Sequence, residues 1–350
     1  MRLRLSVLDI SLLLGLVAVW AALLAVGSGL ERAALSDSRQ AAARAAEPAP
    51  PAVFPRKLSG VDQETIQIKA RTDPGFARRV QVAGSLFFVL VSGTLWTLLD
   101  LLLCLLRKVP IFVPVGVPPQ AAWSIRTIIR LVLGLIVFSQ SILLVQWYII
   151  NKFHPVWLDP TLLTLSNTLL VDLLLMVAGA VLFLRSYPFR INRRQLWAGF
   201  RFGLTSYLTF LPLLALVLIS VGLVAQLFHQ EPAPQAIFTM YLDESRAPVL
   251  VWMGILVAVV GPIAEELFFR GVLYGWLRAR LGVGMGLGLS AFLFALLHAN
   301  AVVFFPILGL GLLFGWIYEL TGSLAAPIAI HVFHNAGMLV LASLIKAAAS

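Results

Sequence analysis

Ionisable side chains are costly inside apolar segments, so each one found there asks for a partner or a chemical role. The stretch GPIAEELFFRGVLYGWLRAR sets Glu265, Glu266 and Arg270 among Ile, Leu, Val and Phe. Glu266 and Arg270 stand at i, i+4 with the acid on the N-terminal side, the favourable order for an ion pair within a helix. Glu265 lies about 100° around the helix from Glu266 and has no built-in partner. A structural ion cluster locking helices together is the alternative reading of these three charges.

Further along, Phe294 and His298 (FALLH) share a helix face, and so do His331 and Asn335 (HVFHN). With antiparallel helices joined near Leu281, Glu265 and His298 are 16 and 17 residues from the turn and lie at similar depth. The spacing permits Glu265, His298, His331 and Asn335 to converge in one polar pocket. Such a set suits amide hydrolysis. A carboxylate held away from water is a stronger base than one in bulk solvent. His298 can share or pass the proton, while His331 and Asn335 can offer N–H donors to a developing oxyanion. His334 reads as a packing neighbour of His331 that could exchange roles with it.

These residues resemble the CPBP intramembrane proteases, a family that includes the type II CAAX prenyl endopeptidases and the bacterial Abi proteins. EELFFR (Glu265 to Arg270) matches the EExxxR motif, FALLH (Phe294 to His298) the FxxxH motif and HVFHN (His331 to Asn335) the HxxxN motif. The similarity covers about residues 200 to 345, with the three motifs in order. It implies an intramembrane endopeptidase, a hydrolase acting on a membrane-embedded or lipidated protein or peptide. Glu265 with His298 would activate water, His331 and Asn335 would stabilise the oxyanion, and Glu266 and Arg270 would support them. Prenylated C-terminal tails are the substrates of the type II CAAX members. No cofactor is required by this scheme, yet the family's metalloprotease label leaves zinc open, with Glu265, His298 and His331 as a three-ligand set. The chain has no HExxH, GxGD or GxSG, which sets aside the other intramembrane protease chemistries.

Two other function classes compete. An ion- or proton-coupled transporter predicts titratable residues strung across the bilayer, whereas here they concentrate in the last helices. A non-catalytic scaffold or immunity protein would use the pocket for stability alone.

The elements that must position these residues follow from composition. The 350 residues are 60% hydrophobic and 12% charged, with a mean hydropathy of +0.94, too apolar for one aqueous core. Residues 1–80 hold 18 of the 42 charges. The net charge of +10 therefore points to cytoplasmic loops of a multi-pass protein in a lipid bilayer rather than to nucleic acid. A single cysteine, Cys104, excludes an internal disulfide. Nine apolar runs begin near Val7, Val80, Ile128, Leu162, Leu204, Val249, Val283, Val302 and Leu324. They predict an all-α, polytopic transmembrane helix bundle of about eight or nine spans, because the seventh and eighth are short enough to form a hairpin.

The expected organisation is an N-terminal membrane anchor helix over residues 1–30 and a polar, Ala/Pro-rich non-cytoplasmic loop over 31–79. Membrane helices two to four occupy 80–197, and the CPBP-like catalytic bundle 198–348. The Lys and Arg distribution puts the N-terminus in the cytoplasm. Gly282, Gly286 and Ser290, like Gly311 and Gly315, are spaced for close helix packing. They serve equally within and between subunits, so the oligomeric state stays open. Asp100 and Asp172, also in apolar runs, are read as hydrogen-bonding to Ser, Thr or Trp of a neighbouring helix, with a proton path as the alternative.

Overall fold

The computed structural model describes residues 68, 71–106, 116–118, 121, 123–153, 159–186, 193–227, 235–300 and 303–349. The expected anchor and most of the expected loop lie outside these residues, as does the side chain of Asp100. The described elements are all helical: α1 (Pro74–Leu106), α2 (Ile125–Phe153), α3 (Pro160–Ser186), α4 (Arg193–Leu227) and the short α5 (Ala236–Asp243). A continuous helical stretch, Ala247–Leu297, follows. It breaks at Gly282, whose φ of 80° only glycine adopts readily. We call its limbs α6 (247–281) and α7 (283–297). The chain ends in α8 (Phe304–Thr321) and α9 (Ala325–Ala349).

Six of these stretches are long and apolar enough to cross a membrane, fewer than the eight or nine expected. Two of the apolar runs share the single stretch Ala247–Leu297, the first run is outside the described residues, and α1 is not among the six. Phe88, Trp96, Leu106 and Leu297 are 68–72% exposed, which suits helices that face lipid. This is an integral membrane protein.

The chain divides into two compact units. In the unit that includes residues 126–171, polar side chains join α2 to the first part of α3. Gln146 donates to the Leu163 carbonyl at 3.3 Å and to the Ser166 hydroxyl at 3.1 Å, and Asn167 donates to Ser139 at 3.5 Å.

The other unit, which includes residues 172–350, packs α4 against α8 and α9 around Tyr207, Leu214, Leu310, Phe314, Ile317, Ala326 and Ile330. At Gly282 the chain folds back, so that α7 lies antiparallel on α6. A Cβ on Gly286 would sit 3.0 Å from the backbone nitrogen of Arg278. On the other side of α7, α8 presents Gly311, where a Cβ would lie 3.2 Å from Ala291, and Gly315, where it would lie 2.8 Å from Leu287. The reading of Gly286, Gly311 and Gly315 as close-packing positions holds. Gly282 is corrected: it has no heavy-atom neighbour within 4 Å of a Cβ and serves as the turn.

Prolines inside helices leave a carbonyl without its donor, and α4 carries Pro212. The carbonyl deprived is that of Leu208, and Thr94 on α1 donates its hydroxyl to it at 2.8 Å. A buried acceptor stripped of its partner costs about 1–3 kcal/mol. Thr94→Val should lose that amount in thermal unfolding of the detergent-solubilised protein, and should lose distinctly less in a Pro212→Ala background, where the helix supplies its own N–H. Equal losses in both backgrounds would show that the hydroxyl does not act on the Leu208 carbonyl.

Candidate active site

The sixth helix departs from regular α geometry at two places that bracket the acidic pair. Residues Leu256–Val260 and Leu267–Tyr274 are π-helical turns, flanking the short α-helical piece Gly261–Glu266. The first has a direct cause. Pro262 has no N–H, and the Gly261 N–H bonds to Leu256, so the Val257 carbonyl is left without an intrahelical donor. Asn335 on α9 fills the gap, its Nδ2 donating to Val257 at 2.9 Å. Around the second turn, Ser290 donates to the Phe269 carbonyl at 3.1 Å and Trp123 to that of Val272 at 3.0 Å.

Between the two turns sits a buried charge cluster. Arg270 is 1% exposed and Glu266 0%. Arg270 Nη1 donates to Glu266 Oε1 at 2.8 Å, and Nη2 donates to the Gly311 carbonyl at 3.0 Å. The guanidinium also lies 4.6 Å from the ring centroid of Phe294 and 5.4 Å from that of Phe314, positions that favour a cation. His331 completes the group, its Nδ1–H donating to the same Glu266 oxygen at 2.9 Å. Phe314 stacks on the imidazole at 4.8 Å and Phe294 meets it edge-on at 5.9 Å. One carboxylate and two phenyl rings thus fix the orientation of His331.

Glu265 stands apart from this lock. Its side chain is 33% exposed, and its Oε2 lies 3.7 Å from Nε2 of His331, beyond direct hydrogen bonding yet close enough for a small reacting group to lie against both. His298 ends α7. Its Nδ1–H donates to the Phe294 carbonyl at 2.8 Å and its ring packs 4.9 Å from that of Phe294. The next residue, Ala299, takes a left-handed φ of 48° and turns the chain away from the helix. His334 bonds the Tyr207 hydroxyl through Nδ1 at 2.8 Å, so it packs α9 on α4 and does not stand in for His331.

Residues 247–337 match the family model described as type II CAAX prenyl endopeptidase Rce1-like. This stretch is similar to the Rce1-like family. The membrane-embedded CAAX protease MroQ of Staphylococcus aureus (strain USA300) is 32% identical to the chain over 108 residues. The aligned part is 29% of this chain, which spans 42% of the length of that relative. No solved structure matches the chain.

The matched stretch contains every site residue that the three motifs named, and the geometry sorts them. Glu266–Arg270 is the expected ion pair. His331 and Glu265 face each other, Asn335 is engaged with the π turn, and His298 is linked to His331 through Phe294. Sequence reasoning missed the Glu266–His331 bond and the roles of Phe314 and Gly311, all of which come from helices far apart in the chain. Among the described residues no group of three or more His, Cys, Asp or Glu side chains is arranged to hold a metal ion, so the structure adds no support for the zinc set. Asp172 is also corrected, since among the described residues no Ser, Thr or Trp hydrogen-bonds to it; it faces α6 near Gly261 instead.

Breaking a buried pair by removing one partner costs about 3–5 kcal/mol. Arg270→Met should therefore lose that much stability in thermal unfolding of the purified protein. Glu265→Gln, which breaks no hydrogen bond among the described residues, should stay within about 1 kcal/mol of wild type. The opposite order would mean that Glu265 carries the fold.

Proposed function

We propose that the protein is an intramembrane endopeptidase in which Glu265 activates water against a peptide carbonyl. The observation that carries this reading is the pairing of a partly exposed Glu265 carboxylate with an imidazole that is otherwise locked in place. Glu265 takes a proton from water as the water oxygen attacks the carbonyl carbon. The resulting oxyanion is met by Nε2–H of His331 and by the N–H of Asn335 that does not bond Val257. The amine leaves with the proton that Glu265 took, passed directly or through His298, whose Nδ1–H donation to Phe294 makes Nε2 its basic nitrogen.

In this reading both ring nitrogens of His331 act as donors, Nδ1–H to Glu266 and Nε2–H to the oxyanion. The substrate class is a peptide held in or on the bilayer, and prenylated C-terminal tails are the first to try, since the staphylococcal relative is named a CAAX protease. Insertion with the N-terminus in the cytoplasm belongs to this reading, on the distribution of Lys and Arg. The concentration of titratable groups at one site offers no support for a transporter.

The test is purified protein in liposomes, given a fluorogenic C-terminally farnesylated CAAX peptide and a fluorogenic transmembrane peptide without lipid. Wild type should cleave at least one, and Glu265→Gln should reduce kcat/KM by roughly 10²- to 10⁴-fold with the unfolding temperature retained. Cleavage of neither peptide, or a Glu265→Gln variant as active as wild type, overturns the reading.

A further inference from the structure

α4 carries a stripe that the mechanism above does not use. Gly199, Gly203 and Tyr207 recur at every fourth residue and all three are buried, so they share one face of the helix. Each meets a residue of α9. A Cβ on Gly199 would lie 3.4 Å from Cβ of Ala326, and a Cβ on Gly203 would overlap Cδ1 of Ile330. One turn further on, the Tyr207 hydroxyl and Nδ1 of His334 are 2.8 Å apart, a good hydrogen bond. Positions 326, 330 and 334 recur at every fourth residue as well, so the two helices run parallel and in register over this seam. The glycines let the backbones approach, and the Tyr207–His334 bond adds a direction that contacts of glycine, alanine and isoleucine cannot supply.

The same α9 carries His331 and Asn335, which bond Glu266 and the Val257 carbonyl of α6. These two stand one turn apart on a single face, and His334 lies about 60° around the helix from His331 and about 100° from Asn335. Two bonds along one line of contact let a helix roll about that line. A bond on a different side, to a different helix, opposes the roll. The polar ends of helical side chains lie about 5–6 Å from the axis. A roll of about 10° therefore moves them by about 1 Å, a displacement that costs roughly 100-fold in rate at a reacting centre.

We propose that Tyr207 and His334 are positioning residues for the oxyanion donors: their hydrogen bond fixes the rotation of α9 and so aims Nε2–H of His331 and the second N–H of Asn335 at the substrate carbonyl. The inference rests on the proteolytic reading above. Neither residue touches the reacting atoms, and no proton passes through them. Donors that close on an oxyanion only as it forms act on kcat and leave KM unchanged. A contact that merely stabilised the bundle would lower the unfolding temperature and leave the kcat of the folded enzyme as it was.

Tyr207→Phe removes the hydroxyl and keeps the ring with its edge-on contact to Phe333. His334→Leu removes the other partner, whereas His334→Asn keeps a hydrogen-bonding group near the place of Nδ1. In liposomes, with whichever of the two peptides wild type cleaves, Tyr207→Phe and His334→Leu should each lose kcat by roughly 10- to 100-fold with KM unchanged. The double variant Tyr207→Phe/His334→Leu should lose no more than either alone, and His334→Asn should recover most of the rate. Three results would overturn the role of the pair and leave the proteolytic reading standing, provided that Glu265→Gln is inactive. They are a folded Tyr207→Phe with the wild-type kcat, single losses that multiply in the double variant, and a loss that falls on KM. If wild type cleaves neither peptide, or Glu265→Gln cleaves as fast as wild type, both fall. Should Tyr207→Phe fail to fold, His334→Leu against His334→Asn decides alone, and equal kcat in those two overturns the role.

Discussion

An arginine cannot shed its charge in a protein, and Arg270 is almost completely buried in a bundle of apolar helices. The helices that carry Glu265, Glu266 and His331 are arranged around that constraint. Glu266 supplies the counter-charge from one turn away on the same helix, Gly311 supplies a carbonyl from α8, and Phe294 and Phe314 supply ring faces from α7 and α8. Each partner needs its helix at one depth and one rotation. The glycines that let α7 and α8 approach so closely are part of the same requirement, because a Cβ at 311 would crowd Ala291 and Phe294 at 3.2 Å. Once Arg270 and Glu266 are paired, the second acceptor capacity of Oε1 is available to His331, and α9 is drawn into the cluster.

The backbone obeys a second rule, that a buried carbonyl must find a donor. Two interior prolines, Pro212 and Pro262, each take one donor away, and each time a side chain from another helix restores it: Thr94 at Leu208 and Asn335 at Val257. A helix interruption that would be a defect in isolation becomes a point where two helices are fastened together. Asn335 thereby holds a position in the fold as well as one in the proposed chemistry. Its amide has two N–H groups, and the one spent on Val257 fixes the direction of the other.

Much of this was legible in the sequence, and the limits have physical causes. The Glu266–Arg270 pair depends on an i, i+4 spacing that any helix provides. The fold-back near Leu281 was expected between two adjoining apolar runs, and the break falls at Gly282, a glycine whose spacing had instead suggested packing. Contacts such as Glu266 with His331, Phe314 stacked on that imidazole, and Asp172 beside Gly261 depend instead on how helices rotate against one another. Spacing within a helix does not determine that rotation, and the π turns alter it further. Pro262 stands in the sequence as a break in helical hydrogen bonding, and its meaning emerges only with Asn335 as the donor on the other side. The eight or nine spans expected compare with six among the described residues, partly because the two apolar runs on either side of Gly282 fall in one helical stretch although the chain folds back between them.

Glu265 and Glu266 are neighbours in sequence and identical in chemistry, and their surroundings separate them completely. Glu266 has no exposure and two charged or polar partners on one oxygen, so its bonds are part of what holds the bundle together. Under the proposed mechanism the base gains and loses a proton in every cycle, and a carboxylate committed in that way is poorly suited to it. Glu265 is free of those bonds and partly open to solvent. Buried ion pairs add little net stability compared with well-packed apolar residues, so stability alone is a weak reason to keep Arg270 and Glu266. Their stronger effect is to aim His331 at the one carboxylate left outside the lock.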